Sequence, residues 1–246
     1  MSAIAERGQA HGAFRFGLPL LIVALAALAG ATGLVGPILQ HWGDIVFDTQ
    51  QHIVLVAISG SLAILLGVAL GILLSRPIFR RAAETVLQVV NIGTTIPTLA
   101  VLALAMSILG IGAVPAIFGL FVASLLPIVR NTFAGILAVP DYLIEASLGM
   151  GMTPAQILWR VELPNALFVI FAGIRTAIAV NVGTAALAFL IGGGGLGDLI
   201  FTGIDLDDTG MMLAGAIPTA LLAVFADFLL GQCQLWLVPR GVNPLR

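Results

Sequence analysis

Six long apolar stretches, separated by short polar segments, set the pattern of this chain. They cover residues 18–39, 53–74, 86–109, 114–129, 166–191 and 211–238, and the fourth continues less cleanly to residue 139. A hydrocarbon core about 30 Å thick takes about 20 helical residues to cross. Each stretch is therefore predicted to be a membrane span, with a tight turn at residues 110–112 between the third and fourth.

The segment 140–164 departs from that pattern as the longest mixed-polarity run. Pro140 stops the preceding helix, and Asp141 is predicted to cap a short helix over residues 142–150. Gly149 and Gly151 allow a break. Thr153 then reads as a second N-cap, with Pro154 in the first helical position and Gln156 closing a capping box. That helix is expected to end before Pro164. From local rules alone, this island is either a loop packed on itself or an element presented to a partner.

Composition settles the class. Hydrophobic residues make up 60% and charged residues 9%, against about 25% charged in a typical soluble domain, and the mean hydropathy is +1.14. The chain reads as an all-α integral membrane protein. A net charge of -2 offers no basic surface for nucleic acid. Cys233, the single cysteine, excludes a disulfide framework or a cysteine-based metal site. Arg7 and Arg15 before an apolar run resemble a signal peptide, but residues 18–39 are too long for one and read as a retained first span.

The charges orient the spans. All basic residues are arginines, and Arg7, Arg15, Arg76, Arg80, Arg81, Arg130, Arg160, Arg240 and Arg246 fall on one side of a six-span topology. Asp44, Asp48, Asp198, Asp205, Asp207 and Asp208 fall on the other. The positive-inside rule puts both termini and the 140–164 island in the cytoplasm. Residues 40–52 then form an outer segment, with His41 and His52 solvated at its edges.

Few residues suggest chemistry inside the spans. Residues 192–197 match G-x-G-x-x-G, but no strand precedes them, so they read as a close-approach glycine turn rather than a nucleotide site. Gly195-Leu196-Gly197-Asp198 resembles the G-x-G-D motif of intramembrane aspartyl proteases, which need two carboxylates at one depth. Asp198 near the surface and Asp227 at mid-span do not meet that need. Charges within spans are costly, so Arg175 and Asp227 are expected to pair between adjacent helices, unless Arg175 snorkels to the interface or either charge lines a solute path. Asn91, Thr94, Thr95, Pro97 and Thr98 form the most polar part of the third span, where Pro97 removes a backbone donor. These, with Asn181 and Thr184 in the fifth, are expected to line a passage, with a packed kink as the alternative. No catalytic residue or metal site is expected.

Glu145-Ala146-Ser147, Gly151, Val161 and Leu163-Pro164 have the spacing of the EAA loop of ABC importer permeases, and the chain resembles that family. Ser147 and Val161 stand for the usual Ala and Ile. Residues 95–100 (Thr-Ile-Pro-Thr-Leu-Ala), 126–132 (Leu-Pro-Ile-Val-Arg-Asn-Thr), 173–177 (Gly-Ile-Arg-Thr-Ala) and 191–197 (Ile-Gly-Gly-Gly-Gly-Leu-Gly) are similar to the permeases for glycine betaine, choline and carnitine. The resemblance implies a type I importer permease fold in a bacterial inner membrane, one domain over residues 1–246 with its core at about 53–238, and a cytoplasmic coupling loop at 140–164. It implies as partners two ATPase subunits, a second permease and a separate substrate-binding protein. ATP and Mg would sit on the ATPase; this chain would bind no cofactor, and neither an ATPase nor a binding domain is expected to be fused to it. No Walker A sequence is possible in a chain without lysine. Permeases for other small solutes such as amino acids share the loop. An ion-driven secondary carrier would need more partnered acids within its spans than Asp227 supplies.

Overall fold

The computed structural model describes residues 35–93, 95–239 and 241–242, so most of the first expected span lies outside the described residues. Only its end is seen, in α1 (Val35–Gln40). The regular elements among the described residues are all helices: α2 (Trp42–Leu74), α3 (Arg80–Gly93), α4 (Thr98–Leu109), α5 (Ala113–Leu137), α6 (Asp141–Gly149), α7 (Pro154–Ile157), α8 (Leu163–Ala185), α9 (Gly197–Asp205) and α10 (Thr209–Leu237). A π turn, Leu158–Glu162, joins α7 to α8, and a 3₁₀ segment, Ala186–Ile191, extends α8. Four stretches are long and apolar enough to cross a membrane, or five when the bent pair α3 and α4 counts as one.

The helix α5 is central, packing on α2 along one side and on α8 along another, while α10 lies against α8 and α9. The core between α2, α5 and α8 holds Ala63, Ile128, Ile136, Ala166, Ile170, Ile174, Ala177 and Val182. Without a hydrophobic driving force in lipid, helices associate by close packing of small residues. A Cβ on Gly71 of α2 would lie 2.5 Å from the Cβ of Thr132, and one on Gly67 would lie 2.8 Å from Ile128 Cγ2. Those two positions set the approach of α2 to α5.

Three expectations are corrected. Residues 40–52 are not an outer loop, because α2 begins at Trp42 and runs 33 residues. Its buried positions Ile45, Asp48, His52, Leu55, Ser59, Ala63, Gly67, Gly71 and Leu74 recur every three or four residues, the period of one helix face. The polar Asp48 and His52 belong to that inward stripe, so they extend the helix instead of ending it. His52 is completely buried rather than solvated.

The second correction concerns Pro164. The helix does not stop there: the Leu163 N–H reaches back to the Leu158 carbonyl, and this five-residue closure accommodates a proline that lacks its own N–H. The third concerns Asp141, which is the first helical residue of α6. Pro140 occupies the cap position with no side-chain hydrogen bond, and Asp141 contributes only its charge in the first turn.

The third span is broken, as the residues around Pro97 suggest. The helical axes on either side, Ala82–Gly93 and Thr98–Leu109, meet at 100°. The polar segment before α10 is more ordered than a loop, since α9 packs along α10 through Leu199 and Ala214.

Candidate functional site

The island between α5 and α8 is built from two local stops. Gly151 adopts a left-handed φ of 77° directly after the Met150 cap, where a side chain would be strained. Met150 and Gly151 donate to the carbonyls of Ala146 and Leu148, at 3.0 and 2.9 Å. The next helix starts with the complete capping box: Thr153 Oγ1 accepts from the Gln156 N–H at 3.4 Å, and Gln156 Oε1 accepts from the Thr153 N–H at 2.8 Å.

These stops give α6 two different faces. Ser147 is buried, and its hydroxyl donates to the Leu143 carbonyl at 2.7 Å. Glu145 and Ala146 are exposed, and Tyr142, Glu145 and Leu148, three residues apart, form an outward ridge. Tyr142 is 68% and Leu148 57% exposed, with Met150 beyond them at 73%. A carboxylate set between large apolar side chains is an arrangement suited to docking on another protein. Sequence reasoning singled out Glu145 but missed its apolar neighbours, although their three-residue spacing was there to see.

Behind the ridge, the island is tied to two spans. It continues through the π turn into α8, with Val161, Leu163 and Pro164 half-buried. Glu162, the unspecified position of the loop motif, is buried, and its Oε2 lies 2.7 Å from Arg76 Nη2 just after α2. Arg76 is held in turn by Ser75, whose hydroxyl accepts from Nη2 at 2.9 Å. Breaking this partly buried pair leaves one charge without its partner, so Glu162→Ala is expected to destabilise the permease by about 1–3 kcal/mol, between the exposed-pair and buried-pair ranges. Thermal unfolding in detergent measures this. The exchange Arg76→Glu with Glu162→Arg should recover part of the loss; equal melting of Glu162→Ala and the unaltered chain would show the pair contributes nothing.

The polar positions of the third and fifth spans behave differently from one another. At the break, Asn91, Thr95 and Pro97 are exposed and Thr98 is half-buried, while Thr94 lies outside the described residues. Thr95 Oγ1 donates to the Ile92 carbonyl at 2.7 Å, which also accepts from the Thr95 N–H at 3.0 Å, while the Ile96 N–H closes on the Gly93 carbonyl at 3.2 Å. Asn181, by contrast, is buried between helices, with Nδ2 donating to Ser59 Oγ on α2 at 2.9 Å. Thr184 donates to the Val180 carbonyl of its own helix at 2.9 Å. Neither α3 nor α4 packs extensively on α8, so the two polar stretches are not brought into one cluster.

A second buried link lies near the start of α2. His52 Nε2 is 2.9 Å from the Val182 carbonyl, which can only accept, so the proton sits on Nε2. The neighbouring Gln51 accepts from the Gly195 N–H at 3.0 Å. Glycines at 192, 194 and 195 have φ between 75° and 89°, and the turn they make closes against α2.

Arg175 and Asp227 meet between α8 and α10. The guanidinium makes a bidentate contact, Nε to Oδ1 at 2.9 Å and Nη2 to Oδ2 at 2.8 Å, and Nη1 donates to Gln234 Oε1 at 3.0 Å. Gln234 Nε2 donates to the Phe168 carbonyl at 3.2 Å. The pair borders a cavity of about 470 Å³ between the two helices. No cluster of three metal-ligating side chains occurs among the described residues.

Comparison with known proteins agrees with this construction. Residues 63–239 match the family model of binding-protein-dependent transport system inner membrane components. The chain is similar to the osmoprotectant import permease protein OsmY of Salmonella typhimurium, 56% identical over 199 residues that cover 81% of this chain and 84% of that one. It is 44% identical to the choline transport system permease protein OpuBB of Bacillus subtilis over 83% of this chain and 93% of that protein. Among solved structures, an inward-facing MetNI methionine ABC transporter aligns with a TM-score of 0.71 at 27% identity, covering 79% of this chain and 96% of that chain.

Proposed function

Since the chain belongs to the family of binding-protein-dependent transport system inner membrane components, and is a permease subunit of an ABC importer, we propose that its cargo is an osmoprotectant such as glycine betaine, choline or carnitine. The observation that carries the substrate class is the 56% identity to an osmoprotectant permease across most of both chains.

The energy source in this reading is a separate ATPase. A chain without lysine has no Walker A motif, so the work has to arrive through contact. The ridge of Tyr142, Glu145 and Leu148 would receive it, and two ATPase subunits would serve two permeases, each docking at one ridge. Closure of the ATPases on ATP would move α6 and α7. The π turn would pass that motion to α8, and the Arg76–Glu162 pair would pass it to α2, shifting access to the central passage from one side of the membrane to the other. A separate binding protein would select the solute and deliver it to the outer end.

The test is reconstitution with the cognate ATPase and binding protein in liposomes, followed by uptake of labelled glycine betaine, carnitine and choline. Uptake that requires all three components and ATP is the expected result. Uptake without the ATPase would sink the importer mechanism. ATP-dependent uptake of a different solute would sink only the substrate class.

A further inference from the structure

We propose that the cavity beside Arg175 and Asp227 is a transit subsite for a small zwitterion, taking the solute's carboxylate on Arg175 and its cationic head on Asp227. This inference rests on the reading of the chain as an osmoprotectant permease.

Depth is the first argument. Arg175 lies 12 residues into α8 from Leu163 (175 − 163), and Asp227 lies 10 residues before the end of α10 at Leu237 (237 − 227). At about 1.5 Å per residue both are roughly 15–18 Å in, near the middle of a hydrocarbon core about 30 Å thick. A pair serving only to hold two helices together in lipid is best sealed from its surroundings. This one is not, for the Asp227 side chain is 38% and the Arg175 side chain 23% exposed. The open side of the pair faces the cavity, whose volume of about 470 Å³ falls in the range of about 300–1,000 Å³ usual for small-molecule sites.

Spare bonding capacity is the second. Arg175 uses three N–H groups, two on Asp227 and one on Gln234, out of the five a guanidinium carries. A solute carboxylate can take the remaining donors without first breaking the pair. Gly231 lies under the guanidinium, where a Cβ would be 3.4 Å from Arg175 Cζ, so the group is held against α10 with little freedom to swing away. Among the described residues Asp227 accepts two hydrogen bonds, both from Arg175, and keeps lone pairs for a nearby cation.

The walls supply the third. Phe168, Ala172, Ala179 and Val180 line the cavity around the charges. A quaternary ammonium head has no N–H to donate, so it is recognised by a carboxylate at short range together with apolar and aromatic surface. A primary ammonium would instead call for several acceptors, whereas beyond Asp227 the lining offers, among the described residues, the Thr176 hydroxyl and Gln234, whose Oε1 is already engaged by Arg175. Guanidinium, carboxylate and apolar wall within one cavity therefore match a carboxylate joined to an alkylated cationic head.

The experiment compares solutes that differ in one charge. In proteoliposomes containing the whole complex and saturated binding protein, glycine betaine and carnitine have both groups, whereas choline lacks the carboxylate. Arg175→Gln is expected to slow uptake of the two zwitterions at least tenfold and of choline less than threefold, whereas Asp227→Asn slows all three. A purely structural pair has no means of telling the solutes apart, so equal losses for zwitterion and choline with Arg175→Gln would overturn the proposal. Unaffected uptake of all three would overturn it as well. Should Arg175→Gln fail to assemble, Phe168→Leu keeps the pair intact, and saturation-transfer NMR on the permease in nanodiscs reads its contact with the methylammonium protons; no difference from the unaltered permease would again count against the subsite. If the unaltered complex imports none of the three solutes, it is the substrate reading that fails, and normal import with no discrimination by the variants isolates the failure to the subsite.

Discussion

Complexes carrying Glu145→Arg are expected to lose ATP-driven uptake by at least about tenfold while the permease still folds and inserts. Glu145 is exposed, makes no hydrogen bond or ion pair among the described residues, and stands in the middle of the α6 ridge, so reversing its charge breaks no polar contact among them. Its effect must appear at whatever docks there. Placing a like charge against a matched site costs several kcal/mol, and about 1.4 kcal/mol is tenfold in an equilibrium constant. Uptake and ATP hydrolysis measured together distinguish the causes: hydrolysis that no longer responds to loaded binding protein, with normal permease yield, is the signature of lost coupling. Unchanged uptake would remove Glu145 from the docking surface. Ser147→Arg is a contrasting substitution, because it forces a charge into the buried face of α6 and should reduce folded yield as well.

The largest expected loss of folded protein comes from a single methyl group, in Gly197→Ala. At the start of α9 a Cβ would collide with the carbonyl oxygen and carbon of Ala186. Both are backbone atoms in the 3₁₀ segment, so no side chain can turn aside. Overpacking usually costs about 1–3 kcal/mol, and a collision with fixed backbone belongs at or above the upper end. Loss of folded material in size-exclusion chromatography, or a melting temperature lowered by many degrees in detergent, checks this. Gly183→Ala on α8 is the control: nothing lies within 4 Å of a Cβ there, and alanine should be neutral or stabilising by about 1 kcal/mol in a helix. Similar melting of the two variants would mean that the turn relaxes around Gly197.

These cases also mark what could be read in advance. Hydropathy located the four long apolar helices among the described residues because lipid demands runs of apolar residues whatever packs against them. The capping box at Thr153 was legible because every atom it needs lies within four residues. One error arose where a tertiary neighbour decides the outcome. Asp48 and His52 looked like an outer loop until the Val182 carbonyl was placed beside His52, and only the three-and-four spacing of α2 hinted at it. Pro164 has the local form of a helix stop, yet a wider hydrogen-bonded turn keeps the helix going. Asn181 and Thr95 are similar by polarity, and distant partners alone put one between helices and leave the other at an exposed break. Asn91 and Pro97 share that exposed break, so whether they line the passage is a matter for solute transport rather than for local rules.

The π turn has one more consequence. One extra residue over Leu158–Glu162 turns everything beyond it by about 100° relative to an unbroken α-helix. Arg175 faces α10 and Asn181 faces α2 only in that phase. The turn is therefore a gear tooth between the α6 ridge and the Arg175–Asp227 pair: remove one residue from it, and the ridge and the charge pair remain intact but no longer keep their present directions relative to one another.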